Sequence, residues 1–193
     1  MPILEAEPEL FPESLLMEPV LCDDGYSEST DTARSWWVSH TRPRQEKALA
    51  RQLFDEGVPY YLPCDRRRVR VRSRVVTSRV PLFGGYLFVR ITEAERLRVL
   101  NTNRVAGLLK VSDQVRLLRD LQRVYRVLDL GAPITAESRL EPGTSVTVRH
   151  GPLAGMTGTV VKAAGGFKFI VSVDFISRGL SVLMDGASLG INE

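Results

Sequence analysis

Bulky apolar residues form two dense runs in the first half of the chain, separated by a segment of helical period. Trp36, Trp37 and Val38 are typical of a strand, and residues 81–90 form a second, longer run of the same kind. Between them, Leu49 and Leu53 belong to an apolar series at helical spacing. The pattern predicts a strand, a helix and a second strand, with residues 81–90 as the central apolar strand.

The helix between these strands has predicted limits. Thr41 is a candidate N-cap, Pro43 suits the first turn, and Gly57 is a natural end. On this placement Arg42 and Arg44 lie at the start of the helix, where a cation has the unfavourable sign for the helix dipole.

Later segments continue the mixture of strands and helices. Residues 58–62 and 105–111 are predicted strands, and the sequence from Thr92 to Glu95 has the pattern of a capping box that opens a helix. A further helix follows Asp113. Helices and strands therefore alternate as far as about residue 130.

The pattern changes after Pro142 to short strands separated by glycine-containing turns. These strands are predicted at residues 146–149, 159–162, 169–175 and 180–184. Strands this short at near-regular spacing predict a small closed or nearly closed barrel. The predicted organisation is a leader at 1–34, a first domain at 35–130, a linker at 131–141 and a second domain at 142–193.

An arginine-dense segment precedes the central apolar strand. Val69 and Val71 alternate with Arg68, Arg70 and Arg72, so the arginines share one face of a predicted strand. Such a row can pair with successive phosphates. A solubilising edge strand is the alternative, because charge on an edge blocks aggregation.

Charge is divided unevenly along the chain. The net charge is +3, but residues 1–35 contain nine acidic residues against Arg34 alone, so the remainder carries +11. This asymmetry points to a polyanion partner for the basic part. The leader, which is acidic and interrupted by prolines, is predicted to be disordered.

Other residue types exclude several classes of protein. Cys22 and Cys64 stand in unlike contexts, which argues against a disulfide and favours a reducing compartment. With His40 and His150 as the two histidines, no zinc-ligand spacing is present, and no cofactor is implied. The chain has neither a signal peptide pattern nor an apolar stretch that could span a membrane. We expect a cytoplasmic monomer.

Three segments together resemble one known family. Residues 36–38 followed by a helix, residues 81–89, and residues 142–160 with their glycine-rich loop look like the NusG family of transcription elongation factors. The form of residues 81–89 resembles the specialised, RfaH-like paralogues. The resemblance implies an α+β NGN domain, an antiparallel sheet flanked by helices, followed by a small all-β SH3-like KOW barrel. It also implies a binding protein that is not an enzyme.

The resemblance further implies three sets of site residues. The NGN domain would bind the clamp helices of the largest subunit of bacterial RNA polymerase, through Leu82, Phe83, Tyr86 and Phe88. Tyr86 is the best candidate for an exposed contact, because its hydroxyl tolerates a wet rim.

The non-template DNA strand and a second factor are the other implied partners. The resemblance implies His40, Arg42, Arg44 and Arg104 as nucleic-acid-binding residues, and the arginine row of the cationic segment adds Arg70 and Arg72 as candidates. The KOW domain would recruit ribosomal protein S ten or Rho. Its implied contacts are Met156, Phe175, Ile176 and Arg178.

Two alternatives remain open from the residues. KOW barrels with basic arms also occur on ribosome-associated and RNA-binding proteins, although such a protein needs no NGN domain. An enzyme with Cys64 as nucleophile and His40 or His150 as base lacks an evident carboxylate to orient the base.

Overall fold

A computed structural model describes residues 8–17, 34–71, 74–131, 133–137, 143–163, 166–184 and 189–191. The chain forms two compact units. The first comprises residues 1–64 and 83–115, and the second comprises residues 65–82 and 116–193.

Thirteen strands and three α-helices occur in the described residues. The strands are β1 Leu10–Phe11, β2 Ser35–Thr41, β3 Tyr60–Tyr61, β4 Cys64–Val71, β5 Arg74–Pro81, β6 Tyr86–Ile91, β7 Val105–Lys110, β8 Ile134–Glu137, β9 Thr144–Val148, β10 Thr157–Ala163, β11 Gly166–Val173, β12 Arg178–Met184 and β13 Leu189–Ile191. The helices are α1 Glu46–Asp55, α2 Glu93–Asn101 and α3 Gln114–Asp129. Two 3-10 helices cover Glu13–Leu16 and Asp174–Ile176.

The first unit is built on a five-stranded antiparallel sheet in the order β1-β3-β6-β2-β7. Its core contains Leu49 and Leu53 of α1 packed with Leu87 and Val89 of β6, all fully buried. The apolar periods of helix and strand therefore meet on one side of the sheet.

Two helix limits agree with the sequence. α1 ends at Asp55, and Gly57 follows with a φ of +67°. α2 begins with the predicted capping box: the Glu95 N–H donates to Thr92 Oγ1 at 3.1 Å, and the Thr92 N–H donates to Glu95 Oε2 at 2.9 Å.

The predicted start of α1 is wrong. Thr41 is the last residue of β2, and the helix begins at Glu46 after the non-helical Gln45. The Thr41 N–H donates to the Gly85 carbonyl at 2.8 Å and the Arg42 N–H donates to the Arg104 carbonyl at 2.8 Å. These long-range bonds extend the backbone pairing of β2 beyond its last residue, Thr41. Arg42 and Arg44 therefore lie in a loop and not in the first helical turn.

The prediction of one strand over residues 81–90 is also wrong. β5 ends at Pro81 and β6 begins at Tyr86, with a turn at residues 82–85. The Tyr86 N–H donates to the Phe83 carbonyl at 3.0 Å, and Gly85 has a φ of +84°. Two adjacent glycines supply this turn, because glycine tolerates positive φ without steric cost.

The leader also differs from its expected disorder over residues 8–17. Leu10 of β1 pairs with Tyr61 of β3, and the following 3-10 helix buries Leu15 and Leu16. The ring of Phe11 makes an edge contact with Phe54 of α1, with centroids 5.1 Å apart. A few apolar residues within an acidic segment thus suffice to anchor it to the sheet edge.

The second unit contains a six-stranded antiparallel sheet in the order β13-β9-β10-β11-β12-β8 and the two-stranded sheet β4-β5. Its core includes Val146, Phe169, Val171 and Leu180. Strand β8 comes from residues 134–137, inside the segment predicted as a linker. The predicted fold class, an antiparallel sheet with helices followed by an all-β C-terminal region, is confirmed.

In the described part of the chain no helix combines the length and apolar character needed to cross a bilayer. The same residues contain no group of three or more His, Cys, Asp or Glu side chains arranged to hold a metal ion. The Cys64 side chain is buried, with 4% exposure, which places its thiol out of reach of a substrate.

Candidate nucleic-acid interface

Four of the predicted nucleic-acid-binding residues come together at one end of the five-stranded sheet. We call His40, Arg42, Arg44 and Arg104, together with Tyr86, the strand-end cluster. His40 ends the regular part of β2 and is the direct partner of Tyr86, the first residue of β6. The two rings lie 5.3 Å apart between centroids, at an angle of 37°. The His40 ring is exposed at this end of the sheet and is suited to stack on a base.

The turn before Tyr86 is fixed by a buried carboxylate. The N–H of Gly85 donates to Glu46 Oε1 at 2.7 Å, and Glu46 is only 8% exposed. A β-carbon on Gly85 would lie 3.6 Å from His40 Nε2, which is an ordinary contact, so the φ of +84° is what favours glycine at this position. The first turn of α1 therefore positions the aromatic pair through the backbone of the turn.

Arg104 is held by two amide side chains of the α1 region. Its Nη1 donates to Gln45 Oε1 at 2.6 Å and its Nε donates to Gln52 Oε1 at 3.2 Å. Both acceptors are neutral, so they fix the direction of the guanidinium without cancelling its charge.

Arg42 and Arg44 are exposed in the loop between β2 and α1. The N–H of Gln45 donates to the Arg42 carbonyl at 3.1 Å, and Arg44 has a φ of +60°. Among the described residues neither arginine forms an ion pair. Together with Arg104 they give the strand-end cluster three guanidinium groups without a carboxylate partner.

The two cationic-segment residues of the prediction are placed apart from this cluster. Arg70 is exposed on β4, which belongs to the second unit. Arg72 lies outside the described residues.

Three of the four predicted polymerase-binding residues are buried. Leu82, Phe83 and Phe88 have little exposed surface, and the rings of Phe83 and Phe88 make an edge contact at 6.4 Å. Tyr86 alone of the four is partly exposed. Phe83 lies in the turn before β6, and Leu87 and Phe88 of β6 are both buried.

The predicted contacts of the second unit lie in two places. Met156 is 4% exposed, whereas Phe175, in the short helix Asp174–Ile176, is 38% exposed. Ile176 and Arg178 are partly exposed on either side of Ser177, whose φ is +51°. The exposed candidates are thus gathered in the turn between β11 and β12.

Asp120 of α3 supports that turn by a hydrogen bond to Asp174, which lies in the turn itself. The N–H of Asp174 donates to Asp120 Oδ2 at 3.1 Å. The Ser172 hydroxyl, which donates to Asp174 Oδ1 at 2.7 Å, lowers the pKa of Asp174, and Arg116 lowers it further. Burial raises the pKa of Asp120 despite its hydrogen bond from Asp174 and the nearby charge of Arg123.

Sequence reasoning missed the residues that position the strand-end cluster. Glu46 and Gln52 lie in α1, and Gln45 directly precedes it. In the sequence, polar residues at these positions are typical of the solvated face of a helix. The adjacent glycines at 84 and 85 did carry a signal, because a glycine pair inside an apolar run is typical of a turn. No comparable local signal marks the burial of Glu46.

Three comparisons with known proteins were made. The family model described as "NusG: Transcription termination factor nusG" matches residues 34–134, just over half of the chain. No curated protein matches.

Solved structures gave matches of low identity. Thermotoga maritima NusG, from a study of domain interaction, is 17% identical over 83% of this chain and 98% of its own, with a TM-score of 0.49. An MjSpt4:Spt5 complex in conformation B is 15% identical over 81% of this chain and 95% of the matched chain, with a TM-score of 0.27. The family assignment therefore rests on the family model.

Proposed function

This chain belongs to the NusG family of transcription factors, and from that premise we propose that it is an elongation factor that binds RNA polymerase and modulates pausing and termination. Its proposed action is non-enzymatic: the first unit contacts polymerase and the exposed non-template DNA strand in the cytoplasm. The second unit recruits a further factor. Specialisation of the RfaH-like kind, with antitermination as the outcome, stays a prediction.

The observation that carries this proposal is the strand-end cluster. Three arginines without carboxylate partners in the described residues lie at the same end of the sheet as the exposed His40 ring. Single-stranded nucleic acid is bound by this combination, in which cations follow the backbone and rings stack on bases. The fixed orientation of Arg104 lowers the entropic cost of forming such a contact.

We propose that Tyr86 is the polymerase contact of the sheet, with clamp helices as the target. Of the four residues expected there, it has the exposed surface, and tyrosine combines apolar area with a hydroxyl for the rim. Leu82, Phe83 and Phe88 then support the surface from within.

The polymerase contact is tested by co-purification of core polymerase with the Tyr86→Asp variant. Binding is expected to be lost, because a desolvated carboxylate in an apolar contact is costly. Tyr125→Asp, at a partly exposed tyrosine of α3, is the matched control and should retain polymerase. Equal retention by both variants would exclude the surface around Tyr86.

The DNA contact is tested with transcription on pause-containing templates. The double variant Arg42→Ala/Arg44→Ala is expected to keep polymerase affinity while losing most of its effect on pausing. Arg96→Ala/Arg98→Ala removes the same charge from α2 and serves as control. Pausing that is identical for the wild-type chain and the Arg42/Arg44 variant would contradict the DNA contact.

We propose that the turn at residues 174–178 recruits the second factor, with ribosomal protein S ten or Rho as candidates. Phe175 offers exposed ring surface, and Ile176 and Arg178 flank it. Met156 is buried and would act by supporting its own loop. Phe175→Ala should abolish capture of the factor in a pull-down and leave polymerase binding intact. Co-sedimentation with ribosomes in the absence of polymerase binding would instead favour a ribosome-associated protein.

A further inference from the structure

Helix α3 carries a second set of arginines that the proposed function does not use. Arg116, Arg119, Arg123 and Arg126 are separated by three, four and three residues. This spacing places all four on one face of a helix. We call them the arginine stripe.

Three members of the stripe are held by groups of the same unit. Arg116 forms an ion pair with Asp174, and Arg123 Nη1 lies 3.5 Å from Asp120 Oδ1. Arg126 Nη2 donates to the carbonyl oxygens of Pro152 and Ala154, at 3.2 and 3.3 Å. Arg126 is thus directed towards the loop between β9 and β10 while its charge stays uncompensated.

Arg119 is the member without a partner in the described part of the chain. It is exposed and lines an open cleft of about 270 Å³ between α3 and the loop. Arg123 and Arg126 share this lining with Gly155, Met156 and Thr157. Cations form one wall, and the other wall includes a methionine side chain and a hydroxyl-bearing residue.

The charges of the cleft do not cancel. In the described residues Asp120 pairs with Arg123, and Asp174 pairs with Arg116. Arg119 and Arg126 therefore remain available for an anion. A guanidinium group binds two phosphate oxygens at once, and an arginine that is not already paired with a carboxylate can make this contact.

The stripe suits a chain of phosphates better than one small anion. Arg119 and Arg126 are seven residues apart, which is about 10 Å along the helix axis. The cleft volume lies just below the sizes that hold small ligands, so it admits part of one nucleotide of a strand. We propose that the cleft between α3 and the β9–β10 loop binds the phosphodiester backbone of a single-stranded nucleic acid.

This site differs from the strand-end cluster in residues and in unit. It requires neither polymerase nor the DNA contact of Arg42 and Arg44. Failure of one site is therefore distinguishable from failure of the other.

The test is fluorescence anisotropy of the full chain with labelled single strands of about 15 nucleotides, as RNA and as DNA of the same sequence. All variants carry Arg42→Ala/Arg44→Ala, which removes those two cations. Arg119→Gln is expected to weaken binding about tenfold. It should also reduce the slope of log K against log salt by about 0.7, the value for one lost phosphate contact on a single strand.

Arg98→Gln is the matched control, because it removes one exposed arginine of α2 in the other unit. It should change affinity less than twofold. Arg119→Lys should recover part of the affinity, because the charge returns without the planar fork. Melting temperatures should be equal for Arg119→Gln and its parent, since the Arg119 side chain makes no hydrogen bond to the described residues.

Each result has a defined meaning. An equal loss of affinity for RNA and for DNA supports a site that binds the phosphodiester backbone. A loss of affinity for only one of the two probes supports the site and identifies the nucleic acid that it binds. If Arg119→Gln binds both strands as Arg98→Gln does, or if the salt slope is unchanged, the proposal is overturned.

Discussion

The strand-end cluster and the arginine stripe both present guanidinium groups, but they hold them by different means. In the strand-end cluster Arg104 is held by the amides of Gln45 and Gln52, which are neutral. In the stripe, Arg116 and Arg123 are paired with Asp174 and Asp120. The comparison shows that the charge of the acceptor, more than the number of arginines, decides how much positive charge a surface offers to a ligand.

The acidic residue near each surface has a different task. Glu46 accepts the N–H of Gly85 and fixes a turn, so its carboxylate is bonded to the backbone of the turn. Asp120 accepts the N–H of Asp174 and also neutralises Arg123. The first surface therefore depends on one backbone hydrogen bond, and the second depends on a network of charges.

The largest effect is expected where the first surface depends on that single bond. Glu46→Ala leaves the Gly85 N–H without its acceptor and should lower the free energy of unfolding by about 2–3 kcal/mol. Urea denaturation measures this loss. Asp55→Ala, at the exposed end of the same helix, should stay within about 0.5 kcal/mol. Similar losses for the two variants would show that the turn does not need the buried carboxylate.

A smaller loss is expected for the arginine held by amides. Arg104→Ala removes the donor to Gln45 and Gln52 and should cost about 1–1.5 kcal/mol in urea denaturation. Arg98→Ala removes an exposed arginine that lies 3.4 Å from the nearly buried Glu95, and it should cost about 0–0.5 kcal/mol because Glu95 keeps its hydrogen bonds from Arg34. Equal losses of unfolding free energy for Arg98→Ala and Arg104→Ala would show that the two amides do not stabilise Arg104 more than an ion pair stabilises Arg98.

The carboxylates beside the stripe predict a pH dependence with two opposite parts. Because the pKa of Asp120 is raised above its ordinary 3.8, the folded state binds more protons there, and stability should fall as pH rises from 3.8 through that raised pKa. Because the pKa of Asp174 is lowered, its contribution is present above 3.8 and is lost as pH falls through the folded pKa.

Urea denaturation at a series of pH values between about 3 and about 7 separates the two parts. Asp120→Asn should remove the decline on the alkaline side of 3.8 and keep the decline on the acidic side. Asp55→Asn, exposed in the other unit, should leave both slopes as they are. A variant Asp120→Asn that titrates like the wild-type chain would show that Asp120 does not couple folding to protons.

The smallest effect on stability is expected at Arg119. Arg119→Ala should change the free energy of unfolding by less than about 0.5 kcal/mol, because the side chain is exposed and makes no hydrogen bond in the described structure. Affinity for a single strand should nevertheless fall. A clear loss of unfolding free energy for Arg119→Ala would mean that Arg119 stabilises the folded state. Arg119 would then resemble Arg104, which is also expected to contribute to stability.

The sequence by itself determined the features that depend on near neighbours. The end of α1 at Gly57 and the capping box of Thr92 and Glu95 are local arrangements, since the groups that bond are within a few residues of each other. Apolar period likewise predicted β2, the helical segments and the all-β character of the C-terminal region after α3. These signals are readable because backbone geometry and side-chain type are coupled over a single turn.

Tertiary structure decided which of these elements meet and which groups they leave available. Leu10 pairs with Tyr61 across some fifty residues of sequence. The buried Glu46 carboxylate accepts the N–H of Gly85. Arg126 is directed by the carbonyls of Pro152 and Ala154. No local pattern contains these partners. Burial and charge compensation are properties of groups that become neighbours only when the chain has folded, so the spacing of arginines was visible in the sequence while their availability was not.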